Sequence, residues 1–217
     1  MLLAALLFPV ISTAQIVVLR RATVIDGTGG PPRKEFTLVM EDGRVRDIGP
    51  PARIITPPNA TVVDVSGKFI VPGIINAHGH VGAGTAPQLR QYALYGVTTT
   101  TSMQTDPDEV VQVREAQKRG DLRGARVSTI KYRFAPDPEV ATAQQARAKV
   151  DETVAAGADY IKLWVDGGFG TRQKLSREFC AAVIEQARKH GKLTFGHAYE
   201  LVDAKMLVEL GLNVLGH

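Results

Sequence analysis

The stretch Phe69–His80 reads FIVPGIINAHGH, and it decides how the rest of the chain is interpreted. Its apolar run over 69–77 is typical of a buried β-strand, and it ends in the pair His78 and His80. Side chains at positions i and i+2 of a strand point to the same face, so both imidazoles are expected to project side by side. Gly79 adds no side chain between them. Such a pair forms half of a site for a divalent transition metal, although hydrogen-bonded structural histidines also fit the pattern.

After Gly67 the sequence alternates between strand and helix patterns. The strand candidates cover residues 69–77, 96–102, 125–130, 159–165, 193–197 and 212–215. Repeated βα units predict a parallel sheet, which a doubly wound fold or a (β/α)8 barrel would satisfy. Candidate ligands recur at the carboxyl ends of these strands, where barrel active sites lie. We therefore predict an α/β fold with an incomplete TIM-type barrel of about six βα units.

Capping signals mark three of the predicted helix starts. Asp106 before Pro107, Thr142 with Gln145, and Ser176 are all typical of helix N-termini. Four glycines are expected to end the helices, namely Gly120, Gly157, Gly191 and Gly211. The chain stops at His217 directly after a strand, so we expect an N-terminal fragment that lacks about two βα units.

The segment before the barrel is predicted to be a small all-β domain over residues 15–66, with the barrel domain over 67–217. Its strand candidates are 16–19, 22–25, 37–40, 44–48 and 61–65, with a hairpin turn at 41–43. Residues 1–14 form a short apolar run that ends in small residues and resembles a secretory signal peptide. The protein is therefore expected to be secreted or periplasmic, with a cytoplasmic location as the alternative.

The composition is that of a folded globular protein, with 44% hydrophobic and 22% charged residues and a net charge of +4. No basic stripe with interleaved aromatic residues is present, so nucleic acid is not an expected partner. After removal of the signal peptide no membrane association is expected. The lone cysteine, Cys180, excludes an internal disulfide and is predicted to pack as a small hydrophobic residue.

Two further histidines end later strands of the predicted barrel. His197 and His217 each follow a glycine at the end of an apolar strand. Because strand ends of one parallel barrel converge on one mouth, residues distant in sequence can share a metal there. The fifth histidine, His190, precedes Gly191 at a helix end and is expected to be solvent-exposed.

Lys162 shares a predicted strand face with Tyr160 and Trp164. If it is buried, the neutral amine is favoured and can take up carbon dioxide to form a carbamate, an anionic oxygen ligand for two cations. The alternative is a lysine that reaches the barrel rim or pairs with a carboxylate. Asp166 is a candidate substrate contact in the loop 166–170, for which a flexible connector is the favoured role. Tyr199 and Tyr132 are further candidates for substrate contact, and packing is the favoured role for both.

The sequence VPGIINAHGH at 71–80 resembles the first-strand signature of the amidohydrolase superfamily, closest to its imidazolonepropionase-like and prolidase-like branch. The resemblance continues through IDGTGG at 25–30, DVSGK at 64–68 and GADYIK at 157–162, and then through His197 and His217, in the family's order. It implies the same fold of a small β-domain and a metal-dependent hydrolase barrel.

The resemblance also implies roles for particular residues. His78 and His80 would bind the more buried metal, carbamylated Lys162 would bridge two divalent ions, and His197 and His217 would bind the second ion. Zinc is the expected metal. The family's general-base aspartate would lie beyond His217, so no catalytic base is assigned within the chain. Asn76 stands where many relatives carry aspartate.

The activity implied is hydrolysis of a carbon–nitrogen bond in a small amide, peptide-like or cyclic amide substrate by a metal-activated hydroxide. Dipeptides, acylated amino acids and cyclic amides are all open as substrates. Three alternatives remain: a mononuclear aminohydrolase (deaminase) of the same superfamily, an inactive metal-binding fragment, and a periplasmic binding module with structural histidines. A homo-oligomer is suggested only by analogy.

Overall fold

The structure, a computed structural model, describes residues 15–217, and the predicted signal peptide at 1–14 lies outside them. The chain forms two compact units that divide between Pro72 and Gly73. The sequence predicts a division six residues earlier, after Ser66, but the short strand Phe69–Ile70 pairs with the first strand of the first unit. Within residues 15–217, no helix combines the length and apolar character needed to cross a bilayer.

The first unit is a five-stranded sheet. Its strands are β1 (Ile16–Val24), β2 (Arg33–Glu41), β3 (Arg44–Gly49), β4 (Thr61–Asp64) and β5 (Phe69–Ile70), and a short 3₁₀ helix spans Pro51–Arg53. They lie in the order β3-β2-β1-β4, with β5 also paired to β1. The predicted hairpin turn is confirmed, since Asp42 and Gly43 have φ of 48° and 74°. The two strands predicted over 16–25 are one strand, with an irregularity at Arg21 (φ 63°).

The second unit alternates strands and helices. It contains β6 (Ile74–Gly79), α1 (Thr85–Leu94), β7 (Val97–Ser102), α2 (Asp108–Arg119), β8 (Arg126–Thr129), β9 (Arg133–Phe134), α3 (Ala143–Ala155), β10 (Ile161–Val165), α4 (Arg177–Lys189), β11 (Thr194–Ala198), α5 (Leu201–Glu209) and β12 (Val214–Leu215). All its strand pairs are parallel, in one sheet β6-β7-β8 and another β9-β10-β11-β12. The prediction of an α/β fold with a partial barrel is confirmed.

The prediction of one buried strand over 69–77 is wrong. The strand breaks at Pro72, which has no backbone N–H to donate, and at Gly73. A Cβ atom at Gly73 would lie 2.3 Å from the side chain of Thr98, so the two backbones approach closely there. The resulting β6 is also mostly exposed, with Ile75 at 68% relative exposure.

Two of the three predicted helix caps are confirmed. Thr142 and Gln145 form a reciprocal capping box at the start of α3, and the Ser176 hydroxyl accepts the N–H of Phe179 at the start of α4. The prediction that Asp106 caps α2 is wrong, because Pro107 occupies the N-cap position and makes no side-chain cap. The Asp106 carboxylate instead turns inward and is buried.

Most of the core of the second unit lies around β10. The outward side chains of β10 (Ile161, Leu163 and Val165) pack with residues of α3, α4 and α5. Cys180 on α4 belongs to this core and is fully buried, as predicted. A smaller cluster, which includes Val81, Leu89 and Val110, lies beside β7 and β8. The Lys162 strand is thus the best-packed strand of the unit.

Candidate functional site

The second unit brings four histidines together at the carboxyl ends of its strands. His78 lies on β6, His80 follows it, His197 lies on β11 and His217 follows β12. The ring centroids of His78 and His217 are 4.8 Å apart, those of His197 and His217 4.6 Å, and those of His78 and His80 5.6 Å. Residues separated by as many as 139 positions therefore face one another, as expected for strand ends in a barrel.

Lys162 lies next to this cluster on the inner face of β10. Its backbone is paired with Arg133 on β9 and Phe195 on β11. The side chain is only 2% exposed, and its Nζ atom has no hydrogen-bond partner among the described residues. Burial, with a smaller contribution from the charge of Arg133, lowers the pKa of Lys162 to about 8. Within residues 15–217 it neither reaches the rim nor pairs with a carboxylate.

The surroundings also favour neutral imidazoles. Burial, reinforced by Lys162 and the neighbouring histidines, lowers the pKa of His78 to about 4. Burial and the proximity of His217 lower the pKa of His197 as well. The Nε2 atom of His197 is buried without a hydrogen-bond partner in the described part of the chain. Neutral imidazole is the form that ligates metals, so these residues are kept in the required protonation state.

The donor types at this cluster fit a divalent metal, but their ligating atoms are not assembled into a site. Across residues 15–217 no group of three His, Cys, Asp or Glu side chains is arranged so that it could hold a metal ion. The argument for a metal depends on the chemistry of two atoms at the cluster. Lys162 Nζ and His197 Nε2 are both buried without a hydrogen-bond partner within residues 15–217. Burying a polar atom without a partner costs free energy, which a bound metal ion would offset. An imidazole set with one modifiable amine suits zinc and similar ions.

The backbone that carries His78 and His80 is held by several hydrogen bonds, and the next residue, Val81, is buried in the smaller core cluster. The Asn76 side-chain oxygen accepts the N–H of His78 at 3.2 Å, which is the role this asparagine fills. The carbonyl of Gly79 accepts the N–H of Met103 at 2.9 Å. After His80, the N–H of Val81 is bound by Ser102 Oγ at 3.1 Å and its carbonyl by the Gln104 side chain at 2.8 Å.

Asp106 completes this support, and sequence reasoning missed it. Its two carboxylate oxygens accept the hydroxyl protons of Ser102 (2.7 Å) and Thr129, which end β7 and β8. Burial raises the pKa of Asp106, and these two hydrogen bonds oppose that rise. A signal was present in the sequence, because Ser102 and Thr129 are hydroxyl residues at the ends of two predicted neighbouring strands.

Gly79 is required by the neighbouring strand. A Cβ atom at position 79 would lie 2.3 Å from Thr100 Oγ1 on β7 and 3.1 Å from Asn76 Nδ2. At 2.3 Å something must shift, either the Thr100 side chain or one of the two strands. The close approach of Thr100 is therefore a physical reason for a glycine between the two histidines.

The remaining predicted residues lie at different distances from the cluster. The ring of Tyr199 is 5.5 Å from that of His197 and 5.8 Å from that of Phe169 in the loop after β10. Asp166 Oδ1 in the same loop accepts the N–H of Gly168 at 2.7 Å. Tyr132 packs edge-on against Phe134 and hydrogen-bonds Asp137, as predicted. His190, at the end of α4, contacts Asp151 away from the cluster.

Comparison with known proteins by sequence finds partial matches. Adenine deaminase from Paracoccus denitrificans is 36% identical over 76 residues, which cover 35% of this chain and 13% of that protein. Enamidase from Eubacterium barkeri is 25% identical over 172 residues, which cover 74% of this chain and 44% of the enamidase. No known family profile matches the chain.

Comparison by structure finds extensive matches. A provisionally assigned prolidase from Bifidobacterium longum superimposes with a TM-score of 0.82 at 26% identity, over 93% of this chain and 54% of the prolidase. Molinate hydrolase gives a TM-score of 0.78 at 21% identity, over 93% of this chain and 57% of that protein, and this likeness concerns the fold alone. The chain thus spans less than two thirds of the length of each of these four proteins.

Proposed function

This chain belongs to the amidohydrolase superfamily, and we propose on that premise that its full-length protein is a metal-dependent hydrolase of carbon–nitrogen bonds. The observation that carries the proposal is the buried Nζ of Lys162, which has no partner within residues 15–217 and lies beside four converged histidines. The names of its relatives, which include an adenine deaminase and an enamidase, are consistent with small substrates that contain such bonds.

The proposed ligands are His78, His80, His197, His217 and carbamylated Lys162, for two divalent ions of which zinc is the expected kind. When bound, such ions lower the pKa of a water molecule toward neutrality and polarise a substrate carbonyl. The imidazoles contribute neutral donors, since burial keeps the pKa of His78 and His197 below its ordinary value.

Carbamylation of Lys162 follows from its surroundings. Its neutral amine nitrogen attacks the carbon of carbon dioxide, a new N–C bond forms, and one amine proton leaves to solvent, which yields an N-carboxylate anion. The oxygens of the carbamate could bind the metal ions, whereas the free amine of Lys162 has no polar partner within residues 15–217.

Metal content of the full-length protein tests this function. We expect nearly two metal ions per chain in the wild type and a sharp fall in Lys162→Ala. Lys205→Ala is the matched control, because Lys205 is exposed on α5 away from the cluster. Absence of bound metal from the wild type, even after purification with zinc, would overturn the proposal.

A mononuclear aminohydrolase is the second candidate, favoured by the 36% identity to an adenine deaminase. It predicts one metal ion per chain in both the wild type and Lys162→Ala, since a single ion needs no bridging carbamate. It also predicts release of ammonia from an amino-substituted ring such as adenine, which a coupled ammonia assay would detect.

A further inference from the structure

We propose that Arg133 and Arg172 form a carboxylate-binding site beside the histidine cluster, so that the substrate carries a carboxylate close to the bond that is cleaved. The reaction part of this inference rests on the proposed function, whereas the binding part does not. The arginines belong to different segments of the second unit: Arg133 lies on β9, and Arg172 lies in the loop between β10 and α4.

Both guanidinium groups lie within 6 Å of the centre of the same indole ring. Trp164 lies on the inner face of β10, two residues after Lys162, and its ring centroid is 5.5 Å from that of His197. The Cζ atom of Arg133 is 5.0 Å from the indole centroid, and that of Arg172 is 5.8 Å from it. Trp164 therefore holds two cations next to a histidine of the candidate site.

The hydrogen-bonding capacity of both side chains is unused. Within residues 15–217 neither guanidinium takes part in an ion pair or donates a side-chain hydrogen bond. Arg114 is different, since its guanidinium binds Asp159 and the carbonyl of Gly157. A guanidinium beside an aromatic face keeps its N–H edges available, and its fork of donors matches the two oxygens of a carboxylate.

The local charge is predominantly positive. Arg133 and Arg172 place two positive charges near the ring of Trp164. Asp166 directly follows β10, and one of its oxygens already accepts the N–H of Gly168. Such a field attracts anionic ligands and disfavours cationic ones. Among small amides, it therefore favours acylated amino acids and peptides with a free carboxylate over neutral cyclic amides.

The test uses N-acetyl-leucine and its carboxamide, which differ only in the terminal charge, with the full-length metal-loaded protein. Acetate release gives kcat/KM for both compounds in the wild type, Arg133→Gln, Arg172→Gln and the control Arg126→Gln. Arg126 begins β8, at the opposite end of the strand from the histidines. In the two test variants we expect kcat/KM for the acid to fall roughly 10- to 100-fold, with a change of less than about threefold for the amide. Arg172→Lys, which keeps the charge without the fork, should give an intermediate loss for the acid.

Calorimetric binding of N-acetyl-leucine separates this proposal from the proposed function. If neither compound is hydrolysed but the acid binds and Arg172→Gln abolishes that binding, the carboxylate site stands and the reaction part of the inference is overturned, while metal content still decides the hydrolase proposal. If both compounds are hydrolysed and the variants lower both rates equally, the carboxylate site is overturned and the hydrolase stands. Absence of both hydrolysis and binding overturns the carboxylate site, and the metal content of the same protein decides the hydrolase proposal separately. Arg172 is exposed, so its variant decides the matter even if Arg133→Gln fails to fold.

Discussion

The strand that carries Lys162 and the strand that carries His78 lie in contrasting environments. The outward side chains of β10 are completely buried, and β9 and β11 pair with it on either side. In the described part of the chain β6 is an edge strand, and Ile74 and Ile75 are each more than half exposed. Both strands nevertheless present candidate ligands to the same cluster.

The contrast shows two ways of fixing a side chain at a site. Lys162 is positioned by hydrophobic packing of the residues on either side of it, which also removes water from its amine. The pair His78 and His80 is positioned by backbone hydrogen bonds, which the N–H of His78 donates to Asn76 and the N–H of Val81 donates to Ser102. Damage to packing should therefore affect the first strand most, and damage to polar contacts the second.

The largest expected effect comes from a substitution in the core around β10. Leu163→Ala should lower the free energy of unfolding by about 3 kcal/mol, because it removes a fully buried side chain from the core around β10. Ile75→Ala is the matched control and should cost at most about 0.5 kcal/mol, since that side chain is mostly exposed. Urea unfolding measures both, and similar losses would contradict the contrast.

The second largest effect is expected from the loss of Asp106, the buried acceptor at the ends of β7 and β8. Asp106→Ala should cost about 2 kcal/mol, because the hydroxyls of Ser102 and Thr129 lose their acceptors in a buried place. Asp108→Ala should cost much less, since Asp108 is a solvent-exposed partner of Lys131. Equal shifts of the urea midpoint for the two variants would mean that the buried network does not support the strand ends.

The smallest expected effect is slow modification of the Cys180 thiol, which tests how tightly the core around β10 is packed. Burial raises the pKa of Cys180 to about 12, so at pH 8 its thiolate fraction should be on the order of a thousandfold below that of a free cysteine. A thiol reagent should modify the chain slowly in buffer and rapidly in urea. Rapid modification of the folded chain would show that the core around β10 opens readily.

Local sequence patterns predict the elements of this fold better than the contacts between them. The capping box at Thr142 and the strand face that Lys162 shares with Trp164 depend on neighbours within a few residues, so periodicity and spacing suffice to predict them. The inward turn of Asp106 depends on Thr129, 23 residues away, and the local Asp-Pro pattern suggests a helix cap instead. The pairing of Asp106 with Thr129 can be predicted only once the order of the strands is known.

The burial of β6 and the arginine pair illustrate the same limit. The apolar run over 69–77 predicts a buried strand, but whether Ile75 is covered depends on which strands lie beside it. Arg133 and Arg172 are 39 positions apart, and no spacing rule connects them until both lie beside Trp164. Convergence of the histidines could be predicted because the fold class itself requires it.

The close approach of Gly79 to Thr100 has a consequence for how this sequence can change over time. A side chain at position 79 would require the Thr100 side chain to move or to be replaced by a smaller one. The spacing of the histidine pair is therefore a joint property of two strands, and the two positions are expected to change together. A mutation at position 79 alone is expected to disturb the contact between β6 and β7 even though it leaves both histidines in place.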